Sequence, residues 1–301
     1  MPNALIPAIV IAASSVLFVS VVSPATEATR VNKTLPTAVV SPHIPESLFL
    51  AGEPVPLESF SVREKLDKEL IINTYRHSSS ILYLKRASRW FPLIEPILEA
   101  HGIPNDFKYL AVIESGLTQA VSPAGASGFW QFMKKTAPEY DLEVTSTVDE
   151  RYHVEKSTHA ACRYLKESYE KFGNWALAAA SYNMGMSGVE KRLEAQGVDS
   201  YWDLHLNSET GRYVYRILAV KAVLSHPEAY GFQLTDNDLY HPHEVREIEV
   251  TASIENLSVF ALNNRSNYRE LKELNPWLIK ESLLASPGKT YTLLIPKIVT
   301  E

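Results

Sequence analysis

Glu114 closes the run Asn105-Asp106-Phe107-Lys108-Tyr109-Leu110-Ala111-Val112-Ile113-Glu114-Ser115-Gly116, an acid at the end of an almost wholly apolar stretch. Phe107, Leu110, Ala111 and Glu114 follow one another at i, i+3, i+4 and i+7, so a helix would carry the carboxyl on the same face as three apolar side chains. Pro104 and Gly116 are the expected boundaries of that helix, with Asn105 or Asp106 as its N-cap. Tyr109, Val112 and Ile113 make the remaining faces apolar too, which predicts a buried central helix. A carboxylate in its last turn is disfavoured by loss of water and by the negative end of the helix dipole, and both raise its pKa. An acid that stays protonated near neutral pH can donate a proton to a glycosidic oxygen. From this helix alone, a glutamate that caps its helix or pairs with an arginine fits equally.

Two further patches bear on the choice. Ser122-Pro123-Ala124-Gly125-Ala126-Ser127-Gly128-Phe129-Trp130-Gln131-Phe132-Met133 passes from small residues into aromatic and amide side chains. Small residues let a saccharide approach the backbone, Phe129 or Trp130 could supply a ring face, and Gln131 an amide. Each aromatic is, by type, equally at home in a core. Asn174-Trp175-Ala176-Leu177-Ala178-Ala179-Ala180-Ser181-Tyr182-Asn183-Met184-Gly185 predicts a closely packed helix presenting a phenol and an amide at its end, with Asn183 alternatively ending the helix before Gly185.

Together, Glu114-Ser115, Gly125-Ala126-Ser127-Gly128-Phe129-Trp130-Gln131 and Ala179-Ala180-Ser181-Tyr182-Asn183-Met184-Gly185 resemble, in order and approximate spacing, the lytic transglycosylase domain, whose fold is shared with goose-type lysozyme. Arg212-Tyr213-Val214 resembles a later Tyr-Val element of that family. The resemblance covers roughly residues 72–232, and the whole chain looks like the membrane-bound murein transglycosylase D type. It implies a lysozyme-like helical domain with Glu114 as acid and then base, and Tyr182 as the partner that holds it. Ser122, Gln131, Met133 and Asn183 would contact the sugars, with Ser122 near the reacting muramyl residue and Tyr213 lining the cleft. Two departures stand out: Ser122 follows Glu114 one residue sooner than is usual in the family, and Ser181 replaces the commoner alanine.

The implied reaction cleaves the β-1,4 bond between N-acetylmuramic acid and N-acetylglucosamine in peptidoglycan and leaves a 1,6-anhydromuramyl end. A hydrolytic muramidase and an inactive glycan-binding scaffold are the alternatives. Ordinary glycosidases pair two carboxyl groups, whereas the matched segments supply only Glu114; Glu139, Asp141 and Asp149 lie outside them. An attached 6-hydroxyl has a high effective concentration relative to water, so ring closure needs no water-activating base.

The surrounding chain has 301 residues and a net charge of -6, without a dense Lys/Arg run, which excludes an electrostatic nucleic-acid binder. Ala4 to Val22 is uncharged and apolar and ends near Ser23-Pro24-Ala25, so residues 1–25 read as an export signal or, if uncleaved, a membrane anchor, and the protein as periplasmic or envelope-located. Residues 26–61 are proline-rich and read as a linker or strap. Residues 62–235 carry helical periodicity and form the expected all-α catalytic domain, in which Cys162 is a buried structural thiol. Residues 244–297 predict a small β-α-α-β module that resembles a LysM domain through Leu274-Asn275-Pro276-Trp277-Leu278 and Pro287-Gly288-Lys289-Thr290-Tyr291, with Ile254-Glu255-Asn256-Leu257 in place of the usual Gly-Asp-Thr-Leu. As a separate glycan binder, it would contribute effective concentration rather than chemistry. Asp149-Glu150-Arg151 predicts local capping or ion pairing, and His241-Pro242-His243 an exposed linker. The scattered histidines form no metal-binding motif and no phosphate-cradling loop is present, so neither cofactor nor metal is expected.

Overall fold

The computed structural model describes residues 39–297. The predicted export segment lies outside them, and among the described residues no helix is long and apolar enough to cross a membrane. The chain divides into the units Met1–Val40 and Ser41–Glu301, and the architecture below is that of the second.

Helices α1 (Phe60–Tyr75), α2 (His77–Ala100), α3 (Lys108–Ser115), α4 (Val154–Phe172), α5 (Trp175–Met184), α6 (Met186–Gln196) and α7 (Thr210–Ser225) make the mainly α body expected from the periodicity. Its core gathers where apolar faces converge: Leu110, Ala111 and Val112 of α3, Ala178, Ala179 and Ala180 of α5, and Val214, Ile217 and Leu218 of α7 are fully enclosed. The alanines let α5 lie close to α4 and α7, and α3 packs between α2 and α7. Gly116 ends α3 in the left-handed conformation, φ 63°, and its N–H closes the last turn onto Val112 O at 2.8 Å. Cys162 is buried on α4, and burial pushes its thiol up to about 12, leaving an inert packing residue.

The proline-rich stretch before α1 is held on the body in its described part. Strands β1 (Phe49–Leu50) and β2 (Glu53–Pro54) pair across a tight turn, and Leu50, Val55 and Leu57 enter the main core. Ala51 N donates to Asp106 Oδ2 at 2.7 Å, and Glu53 accepts from Trp175 N at the start of α5. Glu53 thereby supplies negative charge to a helix N-terminus.

The C-terminal module has the expected order: β3 (Val245–Val250), α8 (Leu257–Asn263), α9 (Tyr268–Leu274) and β4 (Tyr291–Pro296). β3 and β4 are antiparallel, from Val245 opposite Pro296 to Val250 opposite Tyr291. Tyr291, Leu293 and Ile295 alternate inward onto Leu257, Ala261 and Leu271, so the helices cover the face that a two-stranded sheet cannot leave exposed. In the divergent Ile254-Glu255-Asn256-Leu257 segment, Asn256 caps α8 by accepting from the Ser258 and Val259 amides.

Candidate active site

Glu114 stands in the last turn of α3, one residue before the helix ends. Two arginines from neighbouring helices satisfy carbonyls that this terminus would leave unpaired: Arg86 Nη1 donates to Gly116 O at 3.0 Å, and Arg216 Nη2 donates to Ile113 O. Ser115 Oγ donates to Phe129 O at 2.9 Å and ties the end of α3 to the glycine-rich loop.

The Glu114 carboxyl accepts a short hydrogen bond at Oε1 from the Tyr213 hydroxyl of α7. Burial raises Glu114 above its ordinary 4.5; the Tyr213 hydrogen bond and the Arg216 charge pull it back, the Glu209 charge pushes it further up, and the net direction is upward. Desolvation thus acts as the sequence predicts, in a carboxyl whose geometry is fixed by a phenol. The same environment holds the Tyr213 and Tyr182 phenols neutral, both raised well above 10.0 by burial and by the charge of Glu114.

The expectation that Tyr182 holds Glu114 is corrected here. Tyr182 donates instead to Trp130 O at 2.8 Å, while Tyr213, expected only to line the cleft, makes the bond to Glu114. The two phenols enter from different helices, and the register of α7, with Tyr213 almost wholly buried, brings its hydroxyl onto the acid. Phe129 and Trp130 are core residues at 2% and 0% exposure and offer no ring face to a sugar. Trp130 Nε1 finds its partner inside, Thr158 Oγ1 at 2.9 Å.

The glycine-rich loop is internally braced. Ser122 N donates to Ala126 O at 2.9 Å, and Ser122 Oγ accepts from Ala126 N at 3.0 Å. Gln131 takes a left-handed φ of 51° and donates from Nε2 to Ala120 O at 3.0 Å and Gly128 O at 2.8 Å. Its Oε1 is the amide's remaining polar atom. Met133 is exposed at 43%. On the other side, Asn183 is not a helix cap, a role taken by Gly185 at φ 80°. It joins the end of α5 to the start of α7, accepting from Thr210 Oγ1 at 2.7 Å and donating to Glu209 Oε1 at 3.1 Å.

Glu114, Tyr213 and Tyr182 therefore form one electrostatic cluster, with Asn183 joined to it through Glu209. Gln131, Ser122 and Met133 share the loop that Ser115 fastens to the end of α3. Sequence reasoning missed Arg216 and Glu209. Arg216 falls three residues after Tyr213 on α7, a same-face spacing that periodicity could have exposed. Glu209, directly before α7, is a second carboxylate outside the acids considered from the sequence. Two cavities, of about 560 Å³ beside Phe91 and Leu224 and about 410 Å³ beside Trp90 and Trp277, are not lined by Glu114.

Residues 94–204 match the family model of the transglycosylase SLT domain, and residues 246–298 that of the soluble lytic transglycosylase C-terminal LysM-like domain. The chain carries an SLT transglycosylase domain followed by a LysM-like domain. It is homologous to membrane-bound lytic murein transglycosylase D of Escherichia coli strain K12, 29% identical over 246 residues, which are 80% of this chain and 52% of the relative. A putative tributyltin chloride resistance protein of Alteromonas sp. strain M-1 is 29% identical over 110 residues, 36% of this chain and 53% of that one. The chain thus spans about half the length of the curated relatives it matches. Among solved structures, the 70 kDa soluble lytic transglycosylase from Escherichia coli aligns with a TM-score of 0.40 at 23% identity, over 51% of this chain and 27% of that one. An inactive mutant of lytic transglycosylase Slt from Pseudomonas aeruginosa aligns with a TM-score of 0.37 at 21% identity, over 51% and 26%.

Proposed function

We propose that this SLT-domain protein is a peptidoglycan lytic transglycosylase of the cell envelope, cutting the β-1,4 bond between N-acetylmuramic acid and N-acetylglucosamine and leaving a 1,6-anhydromuramyl end. The observation that carries the proposal is the Glu114 carboxyl, raised by burial and oriented through Oε1 by Tyr213. In this reading residues 62–235, with the preceding strap, form the catalytic domain, residues 244–297 the LysM-like module, and residues 1–25 direct export or anchor the chain. The membrane-bound relative supports that location.

With Tyr213 occupying Oε1, Oε2 is the oxygen through which protonated Glu114 donates. The bond from the muramyl anomeric carbon to the bridging oxygen breaks, and that oxygen takes the proton as the leaving sugar departs. The muramyl 6-hydroxyl then closes on the anomeric carbon and gives its proton to the Glu114 carboxylate, restoring the acid. Tyr213 stabilises the carboxylate between the two steps. Gln131, Asn183, Ser122 and Met133 hold the sugars, and Tyr182 supports the loop through Trp130 O.

Hydrolysis remains the second reading because Glu209 offers a carboxylate whose charge reaches Glu114. Mass spectrometry of digested glycan strands separates the two. Transglycosylation gives chain ends lighter by one water than reducing ends and free of label from ¹⁸O-water. Predominantly reducing, labelled ends that disappear in Glu209→Gln would establish a muramidase instead.

A further inference from the structure

Asp149, Glu150 and Arg151 are three consecutive charged residues with only 4%, 2% and 7% exposure. Charges so placed persist only with partners. Glu150 pairs with Lys156 and accepts from Glu143 N at 2.8 Å. Asp149 grips Arg151 twice, Nε to Oδ1 at 2.9 Å and Nη2 to Oδ2 at 2.6 Å, as the sequence led one to expect.

The remaining edge of Arg151 was not foreseeable. Its Nη1 donates to Gly125 O at 2.9 Å and to Phe132 O at 3.2 Å, carbonyls at the two ends of the stretch that carries Gln131. Gly128 of the same loop lies against the Arg151 backbone, where an added Cβ would come within 1.9 Å of Arg151 O. Gln119 Nε2 also reaches Tyr152 O at 2.8 Å. One segment therefore sets the shape of the loop.

The opposite side of that segment is held by the C-terminal module. Asp149 N donates to Trp277 O at 2.8 Å, Ile279 N to Thr147 O at 3.0 Å, and Leu284 N to Thr147 Oγ1 at 3.1 Å. Glu143 accepts from Ser286 Oγ at 2.6 Å, Lys289 Nζ at 2.8 Å and Tyr291 OH at 3.0 Å. Val148 is fully buried in the module's own core.

We propose that Arg151 is a positioning residue for the glycine-rich loop, and that the LysM-like module acts on catalysis by clamping residues 143–149 and hence Arg151. The effect on turnover rests on the transglycosylase reading; the effect on loop order does not. This goes beyond the expectation that the module, as a separate glycan binder, contributes effective concentration rather than chemistry.

The test uses the full chain and two variants. Arg151→Lys keeps a cation for Asp149 but cannot span both carbonyls. Glu143→Ala leaves the loop untouched and removes the acceptor shared by three module side chains. Amide hydrogen exchange at Gly125, Ala126, Ser127 and Gly128 should quicken about tenfold or more in both. kcat/KM on short soluble glycans should fall about tenfold in Arg151→Lys and several-fold in Glu143→Ala, as expected when bound groups lose alignment. The alkaline limb governed by Glu114 should stay where it is, because neither variant touches that carboxyl. Folded Arg151→Lys with wild-type exchange and kcat/KM would overturn the positioning role. Glu143→Ala that weakens only sacculus binding, with loop exchange and short-glycan turnover unchanged, would overturn the clamp. An inactive wild-type enzyme would count against the transglycosylase reading, and the exchange data would still decide the positioning.

Discussion

Tyr213 and Glu209 act on the same carboxyl in opposite directions. The Tyr213 hydrogen bond favours the charged form of Glu114, and the Glu209 charge favours the protonated form. In the proposed mechanism rate depends on the protonated acid, so activity should fall as pH rises through the Glu114 pKa. Tyr213→Phe is expected to move that alkaline limb to higher pH while lowering kcat roughly tenfold through lost orientation, and Glu209→Gln should move it to lower pH. Identical limbs in wild type and both variants would show that another group governs the profile. Glu114→Gln should fold and lose on the order of 10² to 10⁴ in rate. Its stability carries a signature of its own. A carboxyl raised on folding contributes stability below its unfolded value of 4.5, and that contribution is lost as pH rises through the folded value. The amide variant should therefore gain in Tm over wild type as pH is raised, which a calorimetric pH series measures.

At the scale of elements, local pattern was a good guide wherever a segment's surroundings are its own neighbours. The periodicity up to Glu114, the stop at Gly116 and the β-α-α-β order of the module appear as read, but the expected cap does not. Asn105–Phe107 form a separate 3-10 turn, α3 begins at Lys108, and neither Asn105 nor Asp106 caps it, because Pro104 leads the chain into the tighter turn first. Where burial is decided by distant parts of the chain, the sequence was mute. Nothing local distinguishes Leu50, Val55 and Leu57 from linker residues among prolines, yet they complete the helical core. Phe129 and Trp130 have the composition of a sugar platform and the placement of core, because α4 supplies Thr158 to the indole. The choice between Tyr182 and Tyr213 as partner of Glu114 required the relative register of α5 and α7. The loop makes an elemental prediction. Gly128→Ala drives a methyl into Arg151 O and should cost about 2–4 kcal/mol. Gly125→Ala, with a similar φ of 85° but open space, should cost only about 1–2 kcal/mol. Equal urea midpoints for the two would mean that the 151 backbone yields without resistance.

Over the whole molecule, the seam between body and module is polar at its rim and apolar at Val148. Glu143 is one titratable group of that seam, paired with Lys289, and His153, whose ring packs on Trp277, is another. Burial raises the Glu143 carboxyl, but hydrogen bonds from Lys289, Ser286 and Tyr291 and the charge of Lys289 outweigh burial and leave it below its ordinary 4.5. A group depressed on folding contributes stability that is present above its unfolded value and lost as pH falls through the folded one. Below about pH 4.5 the seam should loosen before the helical body, seen as faster amide exchange at Thr147, Val148 and Asp149 than in α3. Glu143→Gln should reduce this acid sensitivity, leaving the part that comes from protonating the buried His153 against Trp277. Exchange that rises together in the seam and in α3 would place the acid-labile group elsewhere.

The contact between Glu143 and Tyr291 joins residues 148 positions apart, which gives the seam a place in time as well as in space. During synthesis, the segment that shapes the glycine-rich loop emerges long before the strand that fastens it. Closing so long a loop is slow compared with forming the helices on either side. A newly made chain should therefore pass through a stage in which Glu114 already sits in its helix while the glycine-rich loop is still loose. Pulse-labelled refolding should show α3 amides protected ahead of Ala126 and Ser127, with the latter gaining protection together with β4. Under the proposed function, competence to cut a glycan would then arrive only with the final strand.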